Sequence, residues 1–300
     1  MFAYSDSGDS GEVALAAIVL LLVFAGIVFM VHKSKRGRSR KVDSTLNRER
    51  GKRLDKMLEE REGDRLSDSQ RRVIEDNVGL YDWVPEELRA PWEARILIFL
   101  ENFPFTDMAD GPATEEMRLL VAAEACLLIV KRRMSDYRHL QRIHLWKDKI
   151  KGSGNARGTA TRHDVNLSWS HLKKTIKQAR DGHNLTLHEF AHVIDFADDG
   201  VAQSIPVSPS SPDHEKWRIL VDEEHERLMK VYGSGKNYSI RAYGGYESIQ
   251  GDKPELFSCG TSAFFERSAR LLRECPKVYL ALKEFYGVDP ATWRKRDSIF

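Results

Sequence analysis

Residues 181–195 read DGHNLTLHEFAHVID, and this stretch decides the fold of the 300-residue chain. Apolar side chains recur from Leu187 to Ile194 at the spacing i, i+3, i+4 and i+7, which is typical of one face of a packed helix. Asn184 stands where a helix N-cap is preferred, and Gly200 is a suitable stop. The pattern therefore predicts an amphipathic helix whose apolar face packs on a core.

The same stretch contains two histidines and an acid at a chemically meaningful spacing. His188 and His192 are four residues apart, so a helix places both imidazoles on one face, where they can bind one Zn²⁺ ion. Glu189 lies beside them and can take a proton from water activated by the metal. The alternative is two surface histidines on an amphipathic helix, which the neighbouring apolar stripe disfavours. We therefore predict a hydrolytic centre with one zinc ion per chain and Glu189 as general base.

A catalytic zinc site needs a third protein ligand, with the fourth position left open. Asp195 is close in sequence, but a straight helix separates it from His188 by about 10 Å along the axis, whereas metal–ligand bonds measure about 2 Å. We therefore expect Asp195 to lie outside the ligand set, where it orients a histidine.

Glu255 is the best candidate for the third ligand by position. It lies in Asp252-Lys-Pro-Glu-Leu-Phe, just before a predicted helix that runs through Phe264. The spacing of Asp252 and Glu255 also suits a capping box, so Glu255 could serve only as a helix cap. Spacing alone leaves other carboxylates as competitors, namely Glu223, Glu224, Glu247 and Glu266.

A second extreme segment lies near the N-terminus. Val13–Val31 is nineteen residues without a charge, which at about 1.5 Å per residue spans a hydrocarbon core of roughly 30 Å. The acidic start and the lack of a small-residue cleavage site favour a permanent anchor in membrane lipid over a cleaved signal peptide. No Lys or Arg precedes the segment, whereas six follow it closely: Lys33, Lys35, Arg36, Arg38, Arg40 and Lys41. The positive-inside rule then predicts a single-pass protein of the inner (plasma) membrane, with its N-terminus outside and its catalytic domain cytoplasmic.

The pattern along the chain gives four predicted parts. A short extracytoplasmic N-terminus (1–12) precedes the transmembrane helix (13–31), a basic, charged juxtamembrane linker (32–76) and a single domain (77–300). Helical stripes dominate the domain, and the weakly alternating residues 142–169 suggest a short two-stranded element around a polar loop. The predicted fold class is therefore α+β, mostly helical.

Composition excludes several function classes. A net charge of +2 argues against a dedicated nucleic-acid binder, which usually has a strongly basic face, so we expect no direct nucleic-acid partner. The three cysteines contain no CxxC pair, which argues against a disulfide framework and against a cysteine zinc site. A structural zinc site is disfavoured, because such sites usually have four closed ligands rich in cysteine.

Several further segments accompany the histidine pair in a fixed order between about residues 80 and 290. They are Glu115-Glu-Met-Arg, Ala122-Ala-Glu-Ala-Cys, Ser168-Trp169, Tyr243-Gly, and Pro254-Glu-Leu-Phe running to Phe264-Phe-Glu. Together with residues 181–195 they resemble the signature of the Mlc titration factor A family of zinc metallopeptidases, a bacterial-type family related to the lethal-factor-like zincins. An ordered set of this kind is far more specific than the HExxH motif alone.

The resemblance implies a single zincin-like metallopeptidase domain with Glu255 as its third zinc ligand. It also places a tyrosine in the active site, which matches Tyr243 best and would stabilise the tetrahedral oxyanion together with the metal. Tyr246 stays open as an alternative, because the stretch Gly245–Gly251 is longer than in the family. Ser262 stands where the family usually has a second glutamate.

The resemblance further implies hydrolysis of peptide bonds in a peptide or protein substrate, and the family suggests an aminopeptidase. The alternative is a regulatory binding protein, because family members resemble factors that sequester a transcriptional repressor, and catalysis would then be secondary. Replacing Glu189 with Gln separates the two interpretations, since it should abolish hydrolysis and leave sequestration intact.

Overall fold

The computed structural model describes residues 45–106, 111–197, 200–249 and 251–294. The chain divides into two compact units, residues 1–49 and 50–300. In the first unit the described residues are 45–49, which are helical. The predicted anchor at Val13–Val31 and its basic flank lie outside the described residues. Among the described residues, no helix combines the length and the apolar composition needed to cross a membrane.

The second unit is built mainly from helices, which confirms the predicted α+β, mostly helical class. Its helices are α1 (residues 50–60), α2 (Asp68–Asn77), α3 (Glu86–Asn102), α4 (Glu115–Leu128), α5 (Trp169–Thr175), α6 (Leu185–Asp195), α7 (His214–Gly233), α8 (Glu255–Glu266), α9 (Ser268–Glu274) and α10 (Pro276–Tyr286). Its strands are β1 (Phe105–Thr106), β2 (Arg142–Trp146), β3 (Gly158–Ala160) and β4 (Asp164–Ser168).

Helix α6 lies at the centre of this unit, and every one of its residues is buried. It begins as the sequence predicts, because the Asn184 side chain accepts a hydrogen bond of 3.0 Å from the Leu187 amide. On its apolar face, Phe190 packs against Phe99 and Tyr137 at ring-centroid distances of 5.8 and 5.4 Å. The opposite face of α6 carries His188 and His192, and α8 packs alongside α6.

The sheet has four strands in the order β1-β2-β4-β3, rather than the predicted two-stranded element. Strands β1, β2 and β4 are parallel, and β3 pairs antiparallel with β4 through Thr159 and Asn166. The two segments that the sequence picks out, β2 and β4, do pair with each other, with Ile143 opposite Val165. The polar loop between them contains β3, which forms one edge of the sheet and packs against α6.

The second unit starts at Arg50, earlier than the domain boundary at residue 77 that the composition suggests. The sparse apolar residues of the charged segment account for this, because Leu54 and Ile74 are fully buried in the core. Arg71 of α2 also pairs with the buried Glu93 of α3, with 2.9 Å between Nε and Oε1. Few apolar positions are therefore enough to attach this segment to the domain.

Candidate metal centre

Three side chains from α6 and α8 converge in the structure. The Glu255 Oε2 atom lies 3.0 Å from His188 Nε2 and 3.2 Å from His192 Nε2. The donor atoms of the three residues all lie within 4.8 Å of one another, and the three residues are buried. This donor set consists of two imidazole nitrogens and one carboxylate oxygen, and it suits a catalytic Zn²⁺ ion. The fourth coordination position would face the cleft. The residues present therefore fit a metal ion of this kind.

Two of the three donors, His188 and Glu255, are in the protonation states that metal binding requires. Burial lowers the pKa of His188 to about 4, so this imidazole is neutral near pH 7. Burial alone would raise the pKa of Glu255, but hydrogen bonds from both histidines hold it well below its usual range. Burial opposes the charged form of His192, whereas the Glu255 carboxylate favours it and raises the pKa of this histidine overall.

Glu189 lies beside the three donors and belongs to the same cleft. Burial is the main reason why the pKa of its carboxyl group is raised to about 7; His192 and Arg241 oppose this rise, and the nearby Glu255 adds to it. A carboxyl group with a pKa near 7 can accept and return a proton at neutral pH. Strand β3 lies against this carboxylate, because a Cβ atom added to Gly158 would stand 2.2 Å from Glu189 Oε1.

Of the two candidate tyrosines, Tyr243 has the direct contact with the donors. Its hydroxyl donates a hydrogen bond of 3.3 Å to Glu255 Oε1, and its ring lies 6.0 Å from that of His188. Tyr246 stacks on the Tyr243 ring at a centroid distance of 6.4 Å. Both tyrosines are 53% exposed, so the cleft side of Tyr243 is accessible to a ligand.

Asp195 lies outside the donor group. Its Oδ2 atom accepts a hydrogen bond of 2.8 Å from the Ser204 amide. The Ser204 hydroxyl in turn donates to the Lys253 carbonyl at 2.5 Å and accepts from the Phe257 amide at 2.8 Å. Asp195 therefore connects the end of α6 with the first turn of α8, which carries Glu255.

Three of the competing carboxylates are engaged elsewhere. Glu223 pairs with Lys277 at 2.6 Å on the surface, and Glu224 accepts a hydrogen bond of 2.6 Å from the Tyr238 hydroxyl. Glu266 accepts a hydrogen bond of 3.0 Å from the His183 amide, at the far end of α8. In the part of the chain that the structure describes, the two histidines and Glu255 are the one group that could hold a metal ion.

Several residues of the site carried no signal in the sequence. Cys259 Sγ lies 3.9 Å from His188 Nδ1, and Arg241 Nη2 lies 3.7 Å from the same sulfur. Burial raises the pKa of the Cys259 thiol to about 11, so the thiol is neutral and packs behind the histidine. Cys259, Arg241, Gly158 and Ser204 reach the site through contacts between elements that are distant in sequence. The spacing of residues within one segment therefore could not predict them.

A mostly helical α+β unit that presents two histidines and a glutamate beside a buried acid has the arrangement of a metal-dependent hydrolase. Sequence comparison specifies the class further. The chain belongs to the family of glucose-regulated metallopeptidases M90, whose family model matches residues 48–287. This confirms the resemblance drawn from the ordered segments. The chain is also similar to an uncharacterized protein of Synechocystis sp., with 24% identity over 234 residues that cover 73% of this chain and 83% of the relative. Membership of a metallopeptidase family implies a metal ion and a peptide or protein substrate.

Proposed function

We propose that this protein is a zinc-dependent peptidase with a zincin-like fold, in which His188, His192 and Glu255 hold the metal. The observation that carries the proposal is the buried group of three donors beside Glu189, at the base of a cleft of about 560 Å³. A cleft of this size accommodates several residues of a peptide. The two imidazoles and one carboxylate leave an open position, as in catalytic rather than structural zinc sites.

The residues around the donors divide the chemistry of hydrolysis between them. Zinc, when bound, supplies a Lewis acid that polarises the substrate carbonyl and lowers the pKa of water. Glu189 takes the proton of the attacking water and returns it to the leaving amine, a role that suits its raised pKa. Tyr243 holds its hydroxyl near the donors, 3.3 Å from Glu255 Oε1, where it can donate a hydrogen bond to the oxyanion.

Strand β3 gives the cleft a surface that suits an extended peptide. Its residues Gly158, Thr159 and Ala160 line the cleft, and the sheet ends at β3. An edge strand offers main-chain donors and acceptors that can pair with an extended ligand. A bound peptide in this position would run past Glu189, because Gly158 lies against that carboxylate.

The decisive experiment measures metal content and peptide hydrolysis in the same preparations. We expect one zinc ion per chain in the wild type and in Glu189→Gln, with hydrolysis abolished in the latter. His188→Ala and His192→Ala should lose both zinc and hydrolysis, because two remaining ligands hold zinc too weakly. A zinc-replete wild type without stoichiometric zinc, or an active Glu189→Gln variant, would overturn the proposal.

The aminopeptidase specificity that the family suggests is part of the proposal and has its own test. An aminopeptidase needs the free α-amino group of its substrate, so acetylating the N-terminus of a hydrolysed peptide should stop the reaction. Equal rates for the free and the acetylated peptide would point to an endopeptidase with the same centre.

A binding role is the second candidate, and one surface feature favours it. Tyr243 and Tyr246 stack at the mouth of the cleft, and the nearby Ile249 is 102% exposed. Exposed aromatic and aliphatic side chains of this kind are frequent at protein–protein contacts. A protein partner such as a transcriptional repressor should then bind the Glu189→Gln variant as tightly as it binds the wild type.

We also propose that the catalytic unit is held at the cytoplasmic face of the inner membrane by residues 13–31. Support comes from the sequence, with nineteen uncharged residues followed by six basic ones. A reporter that is active only in the cytoplasm, fused after Phe300, should be active. Digestion of the catalytic unit by protease added outside intact cells would contradict this orientation.

A further inference from the structure

The cleft contains two arginines that the proposed hydrolysis does not use. Besides the donors, Glu189 and Tyr243, its charged or titratable lining consists of Arg157, Arg241, His171 and His183. Glu189 and Glu255 are the acids that line it within the described residues. A bound Zn²⁺ ion would balance these two carboxylates, so the two guanidinium groups leave the loaded cleft positive.

Arg241 is the closest of these cations to the metal donors. Its Nη2 atom lies 3.7 Å from Cys259 Sγ, which itself lies 3.9 Å from His188 Nδ1. Its guanidinium group also stands 5.9 Å from the centre of the Tyr243 ring. A ligand held by Arg241 is therefore separated from the metal donors by about one side chain.

Arg241 is half-buried and makes no ion pair with any carboxylate in the ranges that the structure describes. Its Nε atom is buried without a hydrogen-bond partner. Because Nε has almost no accessible surface, a ligand in the cleft would be bound by the terminal Nη groups of Arg241. The planar fork of arginine matches a carboxylate in a bidentate manner.

Two histidines line the cleft together with the two arginines. The rings of His171 and His183 are in edge contact at 5.5 Å. Burial lowers the pKa of both histidines, and Arg241 lowers it further in both, with Arg157 also acting on His171. Both imidazoles are therefore neutral near pH 7 and can donate hydrogen bonds to an anion without adding charge.

We propose that Arg241, assisted by Arg157, binds a carboxylate of the substrate beside the scissile bond. The inference rests on the proposed peptidase function and adds a substrate class to it. The carboxylate has two sources in a peptide, namely an Asp or Glu side chain next to the scissile bond and the free C-terminus of a short substrate. Both present the same planar anion to the guanidinium group.

The test uses full-length, zinc-loaded protein and a matched set of peptides. One pair carries Glu or Gln next to the scissile bond and has an amidated C-terminus. A second pair has neutral side chains and either a free or an amidated C-terminus. We expect the wild type to hydrolyse the carboxylate member of one pair about ten- to a hundredfold faster in kcat/KM, as a charge-assisted contact predicts. The pair that shows the preference identifies the source of the carboxylate.

Arg241→Gln should abolish the difference in kcat/KM between the carboxylate and amide members of the pair, whatever change in rate the two members share, and Arg157→Gln should reduce that difference. Arg273→Gln, which removes the same charge from the exposed surface of α9, should leave the preference intact. An equal loss on carboxylate and amide peptides in Arg241→Gln, with zinc content retained, would overturn the proposal. So would a wild type without preference in either pair.

A binding measurement keeps the two proposals separable. Dissociation constants of the same peptides for zinc-loaded Glu189→Gln, with and without Arg241→Gln, report carboxylate recognition without turnover. A wild type that hydrolyses none of the peptides argues against the proposed peptidase function. In that case, tighter binding of the carboxylate peptides that disappears in Arg241→Gln would still support the anion site. If Arg241→Gln fails to fold, the same dissociation constants are measured for Arg157→Gln in zinc-loaded Glu189→Gln. An unchanged preference for carboxylate peptides in that variant would refute the anion site.

Discussion

A methyl group at position 158 would test whether the Glu189 carboxylate must occupy its present position. The Cβ atom of Gly158→Ala would lie 2.2 Å from Glu189 Oε1 and 2.6 Å from its Cδ. Favourable contacts between such atoms begin near about 3.5 Å, so the carboxylate must move by about 1 Å. The third close atom, Cγ at 2.7 Å, belongs to the same side chain, so the whole Glu189 side chain rather than the backbone is displaced.

The expected result is a catalytic defect without a folding defect. A displacement of about 1 Å costs on the order of a hundredfold in rate, and a general base contributes about 10² to 10⁴. We therefore expect kcat to fall about a hundredfold. Zinc content should stay at one ion per chain, because the clash involves Glu189 and none of the three donors. Stability should fall by no more than about 1 to 3 kcal/mol, the usual cost of displacing one packed side chain, since Gly158 does not have a positive φ and alanine tolerates a strand backbone.

The assay compares steady-state hydrolysis, zinc content and thermal unfolding for the wild type and two alanine variants. Gly233→Ala is the matched control, because nothing lies within 4 Å of a Cβ atom at the end of α7. It should behave as the wild type in all three measurements. If Gly158→Ala keeps nearly full activity, then Glu189 does not act from the position seen here. If it loses zinc, then β3 controls the donors and the reasoning about a displaced base is wrong.

Three further predictions concern the supports of the site. Glu255→Gln should weaken zinc binding more than Asp195→Asn does, because Glu255 belongs to the group that could hold a metal ion and Asp195 does not. The reverse order of zinc affinities would contradict the proposed ligand set. Burial, and then the nearby Glu124 and Asp181, raise the pKa of Glu266 to about 9. The folded state therefore keeps a proton that the unfolded chain releases near pH 4.3, and this bound proton stabilises the folded state. The stabilisation is lost as the pH rises through about 9, at up to about 1.4 kcal/mol per pH unit. Unfolding free energies measured from pH 6 to 9 should fall less steeply in Glu266→Gln, and identical slopes would show that Glu266 is not the group responsible. Ser204→Ala should lower the free energy of unfolding by about 1 to 3 kcal/mol, since its buried hydroxyl both donates and accepts; denaturant titration checks this, and an unchanged midpoint would mean that the link is not needed.

The helix at the centre of the site could be predicted from sequence because its signals are local. The cap at Asn184, the apolar stripe and the spacing of His188 and His192 all lie within one stretch of four turns or fewer. Helix propensity, capping and packing agree there, so the pattern has one good interpretation. The structure places these elements as the pattern indicates, with α6 running from Leu185 to Asp195.

The sheet was harder to predict because its pairing is between distant segments. Strand β2 pairs in parallel with β4, with Arg142 opposite Asp164, and parallel pairs have no turn that marks them. Strand β3 is three residues long within a Gly-rich polar stretch, which reads as a loop in any local window. The charged segment before residue 77 gave a similar difficulty, because burial of a few residues such as Leu54 decides whether it packs.

The third donor shows why spacing could exclude one carboxylate but could not choose another. Sixty-three residues separate His192 from Glu255, and the two meet because a buried link fixes the start of α8 beside the end of α6. In that link, Asp195 accepts from the Ser204 amide, and the Ser204 hydroxyl binds the main chain at Lys253 and Phe257 on either side of Glu255. Asp195, which helix geometry removes from the ligand set, thus helps to position Glu255, the proposed third ligand. An interaction of this kind depends on the left-handed backbone of Ser204, at φ 63°, and on a loop between two helices. Such a turn leaves no periodic trace in the sequence, so the contribution of Asp195 becomes visible only in the folded chain.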